Sequence, residues 1–232
     1  MKLIILCGGK GTRLRSVVSN VPKPLAPVGK RVFLEILVDK FCDLGVTDIT
    51  ICSGYMHEKI ERFIRQYDSR TIAIRNIVEN QPLGTGGALI NCFRALEAGK
   101  YLCINGDTYF DDMDRSDLVN FFDSSSELTA ITTPVSESSN ESRYGQFNIS
   151  ETGLIAPDRT VALTTKAIST GMYVFDRNSF CRLFPTIQHI SVEGLVANAL
   201  QKGEIVSNIN FSKRFIDIGV PSDYFSFLKS HA

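Results

Sequence analysis

Residues 1–24 read MKLIILCGGKGTRLRSVVSNVPKP. A short apolar run, Leu3 to Leu6, stops at Gly8-Gly9-Lys10-Gly11-Thr12. Arg13 follows at once, and Lys23 sits between Pro22 and Pro24. An apolar run of this length bounded by glycine reads as a buried strand. Glycines admit positive φ and let backbone N–H groups approach a ligand with no Cβ in the way. A strand that ends in such a loop, with two cations close behind, is a candidate phosphate cradle. Two familiar phosphate loops fail on spacing. No Lys-Ser or Lys-Thr follows a glycine as GxxxxGK[ST] demands, and Leu14 stands where GxGxxG needs its third glycine. Glycine turns of this kind also serve merely as tight turns, so the rest of the chain must decide.

Strand and helix patterns alternate outward from this stretch. Phe33, Leu34, Leu37, Val38 and Phe41 recur at helical spacing and predict an amphipathic helix ending near Gly45. A buried strand is expected at Ile49–Cys52, a strand of alternating character at Thr71–Val78 and further strands at Tyr101–Asn105 and Leu128–Pro134, with helices at Met56–Gln66, Gly84–Leu96 and Leu118–Phe122 between them. This alternation predicts an α/β, Rossmann-like, doubly wound and mostly parallel sheet flanked by helices. Ligands of such sheets sit at the carboxyl ends of the strands. Gly8, Ser53, Gln81 and Asp107 all fall just past predicted strand ends. From about Glu137 the pattern becomes irregular, with strands at Gln146–Ser150, Ala167–Phe175, Ile205–Ile209 and Phe215–Ile218. The helices there are Ser179–Leu183, Val192–Gln201 and Ser222–Lys229. The whole chain reads as one domain, residues 1–134 forming one half and residues 135–232 a smaller lid over the same sheet. The Ser-rich patch Ser136–Ser142 reads as a solvated loop.

Composition excludes several classes. Lysine plus arginine number 25 and aspartate plus glutamate 25, so a basic surface for nucleic acid or membrane is not expected. The six cysteines form no CxxC pair, and Cys7, Cys52 and Cys103 each end an apolar run like buried thiols. The amino terminus reads as a strand rather than a signal peptide, and no apolar run is long enough to span a bilayer, so a cytoplasmic location is expected. None of His57, His189 and His231 has a catalytic or metal-ligand companion near it in sequence.

Two aspartates end apolar strands. Tyr101-Leu-Cys-Ile-Asn-Gly-Asp107-Thr108 places a carboxylate at a sheet edge, and Arg214-Phe-Ile-Asp217-Ile-Gly219 does the same before a helix start. Mg²⁺ is commonly held by one or two carboxylates plus phosphate oxygens. An Asx turn or helix cap uses the same residues. In Glu79-Asn-Gln81-Pro-Leu-Gly84-Thr85-Gly86-Gly87, three glycines would let backbone lie close to a planar base, with Gln81 or Glu79 at its edge.

Taken together these segments carry a resemblance. LCGGKGTRLRSVVSNVPKPLAPVGKRVFLE is similar to the amino-terminal signature of the sugar-1-phosphate nucleotidyltransferases, roughly GGxGTRL followed by PKPL. NGDT and FIDIGVPSDY resemble that family's two metal-carboxylate segments, in the family's order. The resemblance covers nearly the whole chain. It implies a nucleotide-diphospho-sugar transferase fold, with a mixed, mostly parallel sheet and a C-terminal sugar-binding region. A nucleoside triphosphate is implied at Leu6, Cys7, Gly8, Gly9, Gly11, Thr12, Arg13, Lys23, Gln81, Gly84, Thr85 and Asp107. Arg13, Lys23 and Asp107 are the implied catalytic residues, and Asp107 and Asp217 the implied Mg²⁺ ligands. Arg15-Ser16-Val17 departs from the proline and threonine that many members carry after the arginine.

The sugar 1-phosphate is implied at Tyr144 and Gly145 (the family's YG element), Gly171, Glu193 and Lys166. Ser169 replaces the asparagine of the usual Asn-Ala-Gly, and Lys166 lies in Thr-Thr-Lys rather than in the family's EKP-like segment. The LGTGG version of the base-side loop, the short chain and RYG look most like the D-glycero-D-manno-heptose 1-phosphate guanylyltransferases. These make a GDP-heptose from GTP for bacterial surface polysaccharide such as capsule or lipopolysaccharide. Three alternatives stay open: a mannose-1-phosphate guanylyltransferase, a UTP-dependent uridylyltransferase, and a non-catalytic nucleotide-sugar-binding subunit. A homodimer also stays open.

Overall fold

A computed structural model describes residues 1–67, 72–135, 143–157 and 164–231. The Ser136–Ser142 patch and the start of the strand expected from Thr71 lie outside them. The elements in chain order are β1 (Lys2–Cys7), β2 (Pro27–Val28), β3 (Arg31–Val32), α1 (Phe33–Asp43), β4 (Asp48–Ser53), α2 (His57–Gln66), β5 (Ala73–Val78) and α3 (Gly84–Arg94). There follow β6 (Lys100–Asn105), β7 (Thr108–Phe110), α4 (Arg115–Ser124), β8 (Leu128–Pro134), β9 (Gln146–Ser150), β10 (Ile155–Ala156) and β11 (Thr164–Asp176). The chain ends with α5 (Arg177–Leu183), α6 (Val192–Gln201), β12 (Ser207–Asn210), β13 (Phe215–Asp217) and α7 (Pro221–His231).

The elements gather into two units, each made of separate stretches of chain. One comprises Met1–Pro82, Ile104–Arg115 and Lys213–Ala232, and the other Leu83–Cys103 and Ser116–Ser212. The division therefore does not run at residue 134, and the last twenty residues belong with the amino-terminal segment.

In the first unit β4 lies between β1 and β5, all parallel, with Leu3 opposite Ile49 and Ile49 opposite Ile74. Leu3, Ile4, Ile5, Ile49 and Ile51 are almost wholly buried. Parallel strands covered on both faces have this near-continuous apolar character. Helix α1 buries Phe33, Leu34, Leu37, Val38 and Phe41, the five residues its spacing singles out. It stops where Gly45 turns to a φ of 92°, a left-handed conformation that closes helices at little cost only for glycine. A short antiparallel ribbon joins β7 to β13, with Tyr109 opposite Ile216 and Thr108 opposite Asp217. The ribbon is held by α7: Phe227 packs its ring 5.1 Å from Phe33 and 5.3 Å from Tyr109, and Tyr224 donates its hydroxyl to the Pro27 carbonyl at 2.5 Å. Strand β7 has three residues, too few for a periodic pattern, and goes unseen in the sequence.

The second unit is built on the thirteen-residue strand β11. It pairs antiparallel with β8 on one edge and β9 on the other; β10 extends β9, and β12 runs parallel to β8. The β11–β8 register shifts between Ser169 and Met172, where Gly171 takes a φ of 76°. Such a bulge re-aims the side chains on either side of it. Phe93, from α3, packs 4.6 Å from Phe180 and 5.5 Å from Tyr101 and anchors the helical layer.

Phe227 is fully buried, so Phe227→Ala removes the contact that ties α7 to α1 and β7. A loss of about 3–5 kcal/mol is expected from such a truncation, measured as the shift in urea midpoint of the purified variant. A shift below a quarter of that would show that α7 does not hold the ribbon.

Candidate active site

Each unit carries one cluster of the residues singled out by sequence. In the first, β1 delivers the chain to Gly8, and Gly11 takes a φ of 58°. A Cβ on Gly11 would stand 3.1 Å from the Lys23 Cβ, so the glycine lets the loop lie against that lysine. Lys23 opens a 3-10 turn between two buried prolines, which restrict the backbone on both sides. Its ammonium forms an ion pair with the Asp107 carboxylate, and the side chains are only 14% and 20% exposed.

Asp107 is placed by Gly106, whose N–H bonds the Leu6 carbonyl at 2.9 Å. A Cβ there would meet the Cys7 sulfur at 2.6 Å and the Leu6 carbonyl at 2.8 Å, so only glycine allows the approach. Burial, and then the nearby Asp107 charge, push the Cys7 thiol far above its ordinary value, leaving it a neutral packing group.

Asp217 is brought alongside by the β7–β13 ribbon. The Ile218 N–H donates to the Asp107 carbonyl at 2.9 Å, and Asp217 Oδ1 accepts the Gly219 N–H at 2.7 Å. Asp217 thus pairs with Thr108, the residue that follows Asp107. Among the described residues no group of three or more histidine, cysteine or acidic side chains gathers as a metal set. Two carboxylates with hard oxygen donors fit a cation that takes its remaining ligands from phosphate and water. Arg13 lies exposed on the 3-10 turn Thr12–Leu14, held by the buried Leu14 beside it. Thr12 and Gly9 are exposed as well. Arg15 lies with its guanidinium 5.1 Å from the Tyr55 ring centre, a cation–π contact that ties the loop to the end of β4.

Of the two candidates for the base edge, the structure brings Glu79 to the loop. Its carboxylate fills the space over Gly8 and Gly54, where a Cβ on Gly54 would be 2.5 Å from Oε1. Gln81 is exposed beyond the end of β5.

The LGTGG glycines belong to the second unit and serve a close backbone packing. A Cβ on Gly84 would meet the Ile190 carbonyl at 2.6 Å, and one on Gly86 the Ser191 carbonyl at 2.5 Å. The N–H groups of Gly86 and Gly87 both bond the Ile190 carbonyl, at 2.9 and 3.1 Å. Thr85 accepts the Val192 N–H at 3.1 Å and so caps the start of α6. That contact carries Glu193 to its place.

Glu193 is the centre of the second cluster. It accepts a hydrogen bond from the Tyr173 hydroxyl at 3.0 Å and packs directly on Gly145, which a side chain would block. Tyr173 and Ser169 share a hydrogen bond of 2.6 Å, and Ser169 Oγ accepts the Gly171 N–H at 3.0 Å across the bulge. The Ser169 N–H bonds the Gly145 carbonyl at 2.7 Å. Burial, reinforced by the Glu193 charge, pushes the Tyr173 phenol well above its ordinary value, so it stays a neutral donor. Tyr144 is half-buried next to Gly145, its ring 5.5 Å from the Arg143 guanidinium carbon. Lys166 is exposed on β11, opposite Asn148 of β9. Sequence reasoning passed over Tyr173. Its signal was a tyrosine within an apolar strand, whose buried hydroxyl must find a partner.

The model of the nucleotidyl transferase family matches residues 2–231, and the chain belongs to that family. It is 32% identical over 230 residues to the D-glycero-alpha-D-manno-heptose 1-phosphate guanylyltransferase of Campylobacter jejuni, covering 98% of this chain and 99% of that protein. It is 33% identical over 226 residues to the protein of the same name from Aneurinibacillus thermoaerophilus, with 97% and 95% covered. Its fold matches the crystal structure of HddC from Yersinia pseudotuberculosis complexed with GMP-PN, with a TM-score of 0.80 at 29% identity over 100% of this chain and 99% of that one. The expected nucleotide-diphospho-sugar transferase fold, a mixed, mostly parallel sheet flanked by helices, is therefore the fold of this protein. Among the described residues no helix is long and apolar enough to cross a membrane.

Tyr173→Phe deletes the donor that Glu193 accepts. Loss of a hydrogen bond to a charged acceptor costs about 1–3 kcal/mol, measured by chemical denaturation. An unchanged denaturation midpoint would show that water replaces the phenol without cost.

Proposed function

We propose that this protein transfers GMP from GTP to D-glycero-α-D-manno-heptose 1-phosphate, giving GDP-heptose and pyrophosphate. The observation that carries the reading is the partly buried Lys23–Asp107 pair beside the glycine loop, with Asp217 at the adjacent ladder position. The full-length likeness to heptose 1-phosphate guanylyltransferases supports the choice of substrates.

The reaction forms a bond between a phosphate oxygen of the sugar 1-phosphate and the α-phosphorus of GTP. It breaks the bond from that phosphorus to the bridging oxygen, and pyrophosphate leaves with the electron pair. The attacking oxygen is already anionic at neutral pH, so no general base is needed. What must be stabilised is negative charge, so positioned cations carry the catalysis.

Glycines 8, 9 and 11 offer backbone N–H groups to the triphosphate, with Leu6, Cys7 and Thr12 flanking them. Arg13 is exposed on this loop, with no side-chain partner among the described residues, and takes phosphate oxygens. Lys23 is held by Asp107 until a phosphate replaces that carboxylate as its partner. Asp107 and Asp217 would hold Mg²⁺, which when bound supplies positive charge against the phosphate oxygens. In the first unit Glu79 or Gln81 serves the base side; the resemblance assigns Gly84 and Thr85, in the second, to the nucleotide. In the second unit Tyr144, Gly145, Gly171 and Glu193 serve the sugar, and Lys166 its phosphate. The six cysteines are all free thiols, which suits a reducing cytoplasm.

Pyrophosphate release measured with each of GTP, UTP, dTTP, CTP and ATP against heptose, mannose and glucose 1-phosphates tests the reading. Fastest turnover is expected for GTP with the heptose. A preference for UTP or dTTP excludes the guanylyl assignment, and GTP with mannose excludes the heptose. Nucleotide binding without turnover would make the chain a binding subunit.

Asp107→Asn keeps the shape of the side chain and removes its charge. A fall in kcat of about 10²–10³ or more is expected, the scale seen when one charge-stabilising group is lost, with the far-ultraviolet circular dichroism unchanged. Near-normal turnover would remove Asp107 from the reaction.

A further inference from the structure

Strand β11 carries a chain of hydrogen bonds whose direction is set by its donors. The Gly171 N–H donates to Ser169 Oγ at 3.0 Å, Ser169 and Tyr173 share a bond of 2.6 Å, and the Tyr173 hydroxyl donates to Glu193 Oε1 at 3.0 Å. A phenol has one proton, and this one goes to a carboxylate, which can only accept. Ser169 must then give its own proton to the Tyr173 oxygen. The order is Gly171 N–H, Ser169 O–H, Tyr173 O–H, Glu193, and every proton in it is committed. Ser169 and Tyr173 are almost wholly buried, so bulk water has little part in the chain.

A regular strand could not close it. Residues four apart share a side of a strand but stand about 13 Å apart along it. The register shift between Ser169 and Met172, with Gly171 at a φ of 76°, brings the two hydroxyls together. The same serine is tied to the loop before β9, because its N–H donates to the Gly145 carbonyl at 2.7 Å. Gly145 in turn lies against Glu193, where a Cβ would stand 2.6 Å from Oε1.

The far end of the chain meets a cavity. Ala167 stands opposite Phe147 of β9, and Ser169, two residues on, lies on the same side of β11. Phe147 and Glu193 both line a cavity of about 330 Å³ in the second unit. A glutamate side chain loses rotamer freedom when it binds a ligand, and a fold that has already fixed it lowers that cost. We propose that Ser169 and Tyr173 are positioning residues for the sugar 1-phosphate, holding Glu193 as a fixed acceptor for hydroxyls that the sugar donates. The inference rests on the sugar 1-phosphate reading given above. Tyr173 acts through Glu193, and Ser169 acts through Tyr173.

Steady-state kinetics of the full-length protein with Mg²⁺, GTP and the sugar 1-phosphate that the wild type turns over fastest test this order. In Ser169→Ala and in Tyr173→Phe the KM for the sugar 1-phosphate is expected to rise roughly tenfold, while the KM for GTP stays within about twofold. The double variant is expected to be no worse than Tyr173→Phe alone, since residues of one network do not act additively. An unchanged sugar KM, an equal rise in both KM values, or a double variant whose effect is the product of the single ones overturns the proposal. Far-ultraviolet circular dichroism checks the fold, and should Ser169→Ala fail to fold, the two KM values of Tyr173→Phe decide. A wild type that turns over no sugar 1-phosphate overturns the proposed function and the positioning role with it. Turnover by the wild type with unchanged KM values in the variants overturns only the positioning role.

Discussion

The ion pair between Lys23 and Asp107 joins two parts of the chain 84 residues apart, and the first unit is arranged around it. Both side chains are largely withdrawn from water. A charge in that position is costly unless it is paired, and removing one partner leaves the other exposed to the full cost of its burial. The backbone on either side is closely constrained. Lys23 stands between two buried prolines, and Asp107 follows a glycine pressed against the end of β1. On the proposed reading the same two charges serve phosphate and cation, so neither is left bare when substrates arrive. The pair keeps both groups near their working positions, which is the condition for electrostatic stabilisation without reorganisation.

A second constraint is close approach of backbone to backbone. Gly106 against Leu6 and Cys7, and Gly84 and Gly86 against Ile190 and Ser191, all sit where a Cβ would collide with main-chain or sulfur atoms. In each case the close contact sets the direction of the segment that follows. Gly106 aims Asp107, and the Gly84–Gly87 turn fixes the stretch that starts α6 and carries Glu193. The glycines thus act on the two clusters through packing as well as through any ligand they admit. The bulge at Gly171 works similarly, turning Ser169 toward Tyr173 so that a buried phenol and a carboxylate satisfy each other.

Much of this could be read from the sequence. The apolar runs of β1 and β4 and the helical spacing of α1 predicted their elements within a few residues, because strands covered on both faces and helices covered on one leave simple periodic patterns. The glycine loop, Lys23 and the two strand-end aspartates were visible as motifs, since each needs a particular residue type at a particular offset. Less was legible wherever a residue's role depends on what lies across from it. Gln81 and Glu79 both stood as candidates for a base edge in sequence; only the fold shows that Glu79 fills the space over Gly8 and Gly54 while Gln81 is exposed. Tyr173 carried no motif at all.

By itself, then, the sequence determined the α/β class, the order of the longer strands and helices and the family to which the chain belongs, because these follow from local periodicity and short ordered signatures. Only the tertiary structure decided how the segments are grouped: the carboxyl-terminal stretch with β13 and α7 joins the amino-terminal unit, and Asp217 reaches Asp107 through a ladder with the three-residue strand β7. That ladder is held by rings far apart in sequence, Phe227 on Phe33 and Tyr109. Long-range packing of this kind leaves no periodic trace, since each ring looks in sequence like any other buried aromatic residue.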